Sequence, residues 1–123
     1  MTQRMSSEVV RAQIEKSLEI LASSASDQQK YLTRKGFTKS VDELALDLDD
    51  FVGMLPAAVQ DGVFSEEQAD AIRQVNHFTG SFSGEQNAAL WHVDQLGSAW
   101  QWNEVRRLAR LALQTLRGGE ARA

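Results

Sequence analysis

Cysteine is absent from this 123-residue chain, which excludes disulfide frameworks, thiol catalysis and cysteine-based zinc sites and fits a reducing cytosol. Proline occurs once and β-branched residues are few, so the composition favours helices over sheet. No apolar run approaches the length of a membrane span, and residues 1–8 lack the apolar core of a signal peptide. We therefore expect a soluble, cytoplasmic protein whose residues 1–123 form one all-α domain, a compact bundle of five to six short helices.

Apolar periodicity and capping signals place the helix boundaries. The expected helices cover about 7–24, 26–35, 40–55, 65–79, 83–96 and 100–117, with one short helical turn at 57–60. Serine followed three residues later by Gln or Glu predicts helix starts at the pairs Ser26/Gln29, Ser40/Glu43, Ser65/Gln68 and Ser83/Gln86. Glycines predict stops at Gly36 before Phe37, at Gly62 and at Gly118–Gly119, and a loop at 80–84 with Phe82 exposed. Residues 7–35 fit either two helices or one long helix.

Charge is distributed unevenly along the chain. No basic residue lies between Lys39 and Arg73, whereas the flanking segments carry net charges of +3 and +2 against −4 overall. The intervening acids are Asp42, Glu43, Asp47, Asp49, Asp50, Asp61, Glu66, Glu67 and Asp70. At about 100° per residue, the acids of the 40–55 helix lie opposite its apolar stripe, with no lysine or arginine four residues further along the helix to offset them. The sequence therefore predicts an acidic helical face.

Leu46 lies near the middle of this acidic face, with Met54 at a neighbouring angle. A leucine ringed by acids is either an ordinary exposed apolar residue or the anchor of a protein-binding patch. Phosphate backbones repel such a surface, so we expect no direct contact with nucleic acid there. A basic protein is the expected partner, because opposed potentials steer encounter. The candidate partner-binding residues are Leu46 and all the acids of the basic-free stretch.

A set of arginines on the last helix offers a different interpretation of the acidic face. Arg106, Arg107 and Arg110 are expected on the polar side of that helix together with Arg117, as a narrow basic stripe. They either neutralise the acidic face within the fold or lie solvated on the surface. Without interleaved exposed aromatics, the stripe gives only a weak signal for nucleic-acid binding.

Catalytic and metal-binding signatures are weak. His77 and His92 are the two histidines, and neither has the His-x-x-His or Glu-x-x-His spacing of a metal site. The run 47–50 has aspartates at three positions but lies in a helix and not in a calcium-type loop. The glycines of 80–84 follow a helix and precede no lysine, unlike a phosphate-binding loop. We expect a non-enzymatic protein without metal or cofactor, and a metal enzyme using these histidines or aspartates is the least favoured hypothesis.

The overall layout resembles the immunity proteins of bacterial toxin systems, including those of contact-dependent inhibition. The shared features are small size, an acidic all-helical chain without cysteine, and an acid-rich helix with an embedded apolar residue. The run Asn87–Trp91, followed by Trp102, Val105, Arg106 and Ala109, is similar to that of small uncharacterised bacterial proteins. The resemblance implies tight one-to-one binding to a cognate toxin, often a basic nuclease, whose active site or substrate approach is blocked. The alternative function is a small adaptor or regulator that receives a partner helix in an apolar groove.

Overall fold

The computed structural model describes residues 6–36 and 41–121, with side chains described as far as Gly118. These residues form six α-helices and two 3₁₀ helices, without a β-strand. The α-helices are α1 (Ser7–Ala22), α2 (Ala25–Lys35), α3 (Asp42–Val52), α4 (Leu55–Gln60), α5 (Glu66–Ser81) and α6 (Trp100–Ala121). The 3₁₀ helices are Glu85–Trp91 and Val93–Gln95. The expected all-α helical bundle is confirmed.

The core lies between α1, α3, α5 and α6. Helix α6 packs against both α1 and α5, and α1 also packs against α3. The apolar stripes of these helices are buried as their spacing predicts: Val10, Ile14, Leu18 and Leu21 in α1, Leu44 and Leu48 in α3, Ile72 and Val75 in α5, and Trp102, Val105, Ala109, Ala112 and Leu116 in α6. Full burial of each large side chain contributes roughly 1.5–3 kcal/mol. Apolar packing of the four helices therefore positions the surface residues that flank them.

The junction between α1 and α2 resolves the choice between one helix and two. Ser24 is extended (φ −64°, ψ 159°), and its hydroxyl oxygen accepts the amide of Asp27, so α2 begins at Ala25. The predicted cap at Ser26 is wrong, because the chain turns two residues earlier and leaves Ser26 within the first turn. The predicted stop at Gly36 is confirmed by its left-handed conformation (φ 85°), which only glycine adopts readily. Phe37 lies outside the described residues.

Helix α3 is shorter than its apolar pattern predicts. It begins at Asp42 after Val41, which makes no side-chain capping hydrogen bond, and the predicted cap Ser40 lies outside the described residues. It ends at Val52. Leu55, which the apolar pattern assigns to this helix, belongs instead to α4, where Pro56 occupies the first turn. A proline fits there because its missing amide hydrogen would have no partner in a first turn.

Helix α5 contains the capping box that the sequence predicts. The Ser65 hydroxyl accepts the amide of Gln68 at 3.1 Å, and the Gln68 side chain accepts the amide of Ser65 at 2.9 Å. The helix runs on to Ser81, so the loop predicted at 80–84 starts later than expected. Phe82 is buried and not exposed, because its ring packs among Phe78, Trp91 and Trp102.

The α-helix predicted at 83–96 is wrong, and so is its capping box. The Ser83 hydroxyl donates to the Thr79 carbonyl at 3.0 Å and thereby closes α5 without capping a new helix. The chain continues through the two 3₁₀ helices, and the indole of Trp91 binds the Phe82 carbonyl. The predicted stop at Gly118–Gly119 is wrong as well: α6 extends to Ala121, and Gly118 does not adopt the left-handed conformation that ends a helix.

Candidate protein-binding face

Helix α3 presents one side to solvent because Leu44 and Leu48 hold the other side in the core. On the outer side, Asp42, Asp47, Asp49 and Asp50 are exposed and Glu43 is half-buried. Leu46 lies among them and is 44% exposed. We call these five acids and Leu46 the acidic face. The structure therefore brings together, on one helix surface, six of the ten partner-binding candidates from the sequence.

The acidic face divides into two flanks. On the first flank, Glu43, Asp47 and Asp50 line a cleft of about 280 Å³ with residues of α1 and α2 that include Lys16, Tyr31 and Lys35. On the second flank, Asp42, Leu46 and Asp49 line a larger groove of about 630 Å³ between α3, α5 and the first 3₁₀ helix. The two flanks differ in charge because both lysines lie on the first.

The groove combines two large apolar residues, which we call its floor, with acidic residues. Leu46 and Trp91 contribute its largest apolar side chains, and Asp42, Asp49 and Glu85 contribute carboxylates. No lysine or arginine is among the residues that line it in the part of the chain that the structure describes. The sequence pattern missed Glu85 and Trp91 as members of this site, because they join α3 only through the tertiary fold.

Aromatic packing and hydrogen bonds hold Trp91 in place beside the groove. The Trp91 ring stacks on Phe82 with 5.1 Å between centroids and meets Trp102 edge to face at the same separation. Its indole nitrogen donates to the Phe82 carbonyl at 2.7 Å, and the Val41 amide donates to the Trp91 carbonyl at 3.2 Å. Trp91 is therefore held both to the core and to the start of α3.

Tyr31 links the first flank to α2. Its hydroxyl lies 3.5 Å from the carboxylate of Asp47. Burial raises the pKa of Tyr31, and the charge and hydrogen-bond acceptance of Asp47 raise it further, with a smaller contribution from Glu43. The charge of Asp47 thus adds to the effect of burial on Tyr31.

The expectation that Arg106 lies on a surface stripe is wrong. Arg106 is only 6% exposed, and its guanidinium donates to the Gln28 side chain, the Leu96 carbonyl and the Asn103 side chain at 2.6–2.9 Å. Burial lowers its pKa, and the nearby charge of Arg110 does so to a smaller extent. The helical projection placed Arg106 on the polar side of α6, but that part of α6 faces other elements of the fold. There its guanidinium donates to Gln28 of α2 and to the Leu96 carbonyl.

The other arginines of α6 are engaged away from the acidic face. Arg107 forms an ion pair with Glu104 at 2.6 Å and lowers the pKa of that carboxyl through the hydrogen bond. Arg110 donates to the Ala22 carbonyl, and Arg117 pairs with Glu19 at 3.0 Å. The contacts of these arginines therefore do not neutralise the acids of α3.

The remaining acids of the basic-free stretch lie outside the groove. Asp61 accepts a hydrogen bond from the Ser7 hydroxyl at the start of α1, and Asp70 pairs with Arg73 at 3.1 Å. Glu66 and Glu67 occupy the first turn of α5, where the helix dipole stabilises negative charge. Each of these four acids therefore has a local role in the fold, and none lines the groove.

The histidines do not form a metal cluster with the acids. His92 lies on the groove rim, 3.4 Å from the Asp94 carboxylate, and His77 is exposed on α5. Among the described residues, no three His, Cys, Asp or Glu side chains are arranged to hold a metal ion. Nor does any helix within that part of the chain have the length and apolar character needed to cross a membrane.

No family model matches this sequence, and comparison with curated proteins and with solved structures gives no significant match. The functional inference therefore depends on the chemistry of the acidic face and its groove.

Proposed function

We propose that this protein is a stoichiometric inhibitor of the immunity type, which binds a basic partner such as a toxin nuclease through the acidic face. The observation that carries the proposal is an exposed set of carboxylates around Leu46, away from the arginines of α6. Like charges three or four residues apart, such as Glu43 with Asp47, destabilise a helix by about 0.2–0.5 kcal/mol per pair. A basic partner offsets this repulsion on binding.

The acidic face suits a nuclease as target because its carboxylates compete with phosphate groups for the same lysines and arginines. Complementary potentials raise the rate of encounter, and a partly exposed leucine at the centre supplies an apolar anchor once water is expelled. In this mechanism the inhibitor needs no catalytic group, because it acts by occupying the substrate surface of the toxin.

Calorimetry with the protein encoded by the adjacent gene tests this function. The double variant Asp47→Lys/Asp50→Lys reverses two charges of the acidic face, and we expect it to weaken binding by about 100-fold or more, near 3 kcal/mol. The matched control is Glu8→Lys/Asp27→Lys, which changes the net charge equally on exposed positions of α1 and α2. Undiminished binding by the first variant, or an equal loss in both, contradicts the acidic face as the interface.

A second candidate function is a small adaptor that receives a partner helix in the groove. The apolar floor of Leu46 and Trp91 favours it, since helix-in-groove recognition depends mainly on burial of apolar side chains. Salt distinguishes the two functions because it screens exposed charges and leaves apolar contacts intact. Binding that is unchanged at high salt favours the adaptor, whereas binding that is lost favours the inhibitor.

A further inference from the structure

The groove has the composition of a receptor for one amphipathic, basic helix. We propose that it receives a helix of the partner protein, with an apolar side chain against Leu46 and Trp91 and a lysine or arginine on either side of that residue. This inference rests on the proposed function, because it identifies which part of a basic partner meets the acidic face.

The size and floor of the groove fit apolar side chains of a helix. Its volume of about 630 Å³ lies within the usual range for binding pockets, roughly 300–1,000 Å³. Leu46 lines the groove from α3 and Trp91 from the first 3₁₀ helix, and the small residues Ala45 and Ala88 also line it. Small residues beside two large apolar ones leave room for an inserted leucine or phenylalanine.

The charges that line the groove select a cationic occupant. Asp42 and Asp49 lie on the α3 wall and Glu85 on the first 3₁₀ helix, while His92 is the one lining residue among those described that is able to carry positive charge. An acidic helix would place its carboxylates against these three carboxylates, and repulsion would oppose its entry. A helix with lysine or arginine pairs with them instead.

The register of α3 sets the spacing of the partner's residues. Asp42 and Asp49 are seven positions apart, about 10 Å along one side of the helix, and Leu46 lies between them. A helix lying alongside α3 therefore places its basic residues about two turns apart, with the apolar residue three or four positions from each.

The groove is also preorganised for such an occupant. The contacts of Trp91 with Phe82, Trp102 and the Phe82 carbonyl hold its ring in place before any partner arrives. Less conformational entropy is lost on binding when the receiving side chain is already fixed.

A display library of random peptides of about four helical turns tests the inference even while the partner is unidentified. Selection on the intact protein is expected to enrich peptides in which an apolar residue has lysine or arginine three or four positions away on both sides. Ala88→Trp fills the groove from an exposed position and is expected to weaken the selected peptides by about tenfold or more. Its matched control is Ala89→Trp, an exposed neighbour that does not line the groove, for which affinity is expected to stay within about twofold.

The outcomes separate this inference from the proposed function. Basic peptides that are insensitive to Ala88→Trp but lost in Asp47→Lys/Asp50→Lys overturn the groove as the receptor and leave the acidic face as the interface. Enrichment of acidic or uncharged peptides, or a selection that enriches no sequence, overturns the groove as a receptor for a basic helix; the proposed function is then decided by the calorimetry with Asp47→Lys/Asp50→Lys. Circular dichroism of each variant confirms that a loss of affinity does not arise from unfolding, and Leu46→Ala repeats the test by removing the floor instead of filling it.

Discussion

Tyr31 is the single tyrosine of the chain, and its hydroxyl lies beside Asp47 on the first flank of the acidic face. Burial and the Asp47 carboxylate both favour the neutral phenol, so the pKa of Tyr31 lies above its ordinary value. Because no other tyrosine contributes, the absorbance of tyrosinate reports this one residue. Substitution of Asp47 separates its contribution to this shift from that of burial.

We expect Asp47→Asn to lower the pKa of Tyr31, since it removes a negative charge and weakens the hydrogen-bond acceptor. Absorbance titration of the folded protein measures the change, and Asp70→Asn on α5 is the control, with no effect on Tyr31. The sign of the stability effect follows from linkage. Because the pKa of Tyr31 is higher in the folded protein, this residue stabilises the fold fully below its unfolded pKa, near 10. That stabilisation is lost as the pH rises through the folded value. A titration midpoint that Asp47→Asn leaves in place would contradict the contact.

Arg106 is a buried cation that pairs with dipoles and not with a carboxylate. Its partners include Gln28, whose own amide donates to the Ile20 and Leu21 carbonyls at the end of α1. The guanidinium therefore interacts, through Gln28, with the negative end of the α1 dipole. This network joins α1, α2, α6 and Leu96, which directly follows the second 3₁₀ helix.

We expect Arg106→Met to lower the free energy of unfolding by about 2 kcal/mol, because the Gln28 and Leu96 oxygens lose their donor inside the protein. Denaturant unfolding measures the loss. Arg107→Met is the control, because Arg107 is exposed and pairs only with Glu104. The denaturant midpoint of this variant is expected to equal that of the unsubstituted protein. Equal midpoints for both variants would show that the Arg106 network does not stabilise the fold.

Helix ends show where a local signal determines structure and where packing overrides it. The same serine-glutamine pattern occurs at Ser26, Ser65 and Ser83, yet only Ser65 forms the capping box. Ser24 caps α2 before Ser26, and Ser83 is used by the last turn of α5. The pattern itself is correct chemistry, but the sequence cannot tell which of several nearby serines meets the free amides.

Substitution of Ser65 and of Ser26 tests which of these two serines caps a helix. We expect Ser65→Ala to cost about 1 kcal/mol of stability, because the Gln68 amide at the start of α5 loses the hydroxyl that accepts its hydrogen bond. Ser26→Ala is expected to cost nothing measurable, since Ser26 lies exposed inside the first turn of α2. Denaturant midpoints compare the two, and an equal loss in both would support the cap that the sequence pattern places at Ser26.

For the whole molecule, sequence periodicity predicted the helical class and the buried side of each main helix. It also predicted that the acids of α3 share one face, because both properties depend on neighbours within one helix. It did not predict the groove, since Leu46, Glu85 and Trp91 are brought together by how α3 crosses α5 and by the aromatic packing around Phe82. Nor did it predict the burial of Arg106, whose partners lie on other elements.

An amide-resolved NMR map of the protein, titrated with the product of the adjacent gene, tests the proposed interface most directly. A chain of 13.7 kDa is small enough for every resolved amide to be followed. We predict the largest shift changes at residues 42–50 and 85–92, with little change on the outer side of α6 around Arg107. Changes confined to that side of α6, with α3 unperturbed in a saturated complex, would contradict the acidic face as the binding surface.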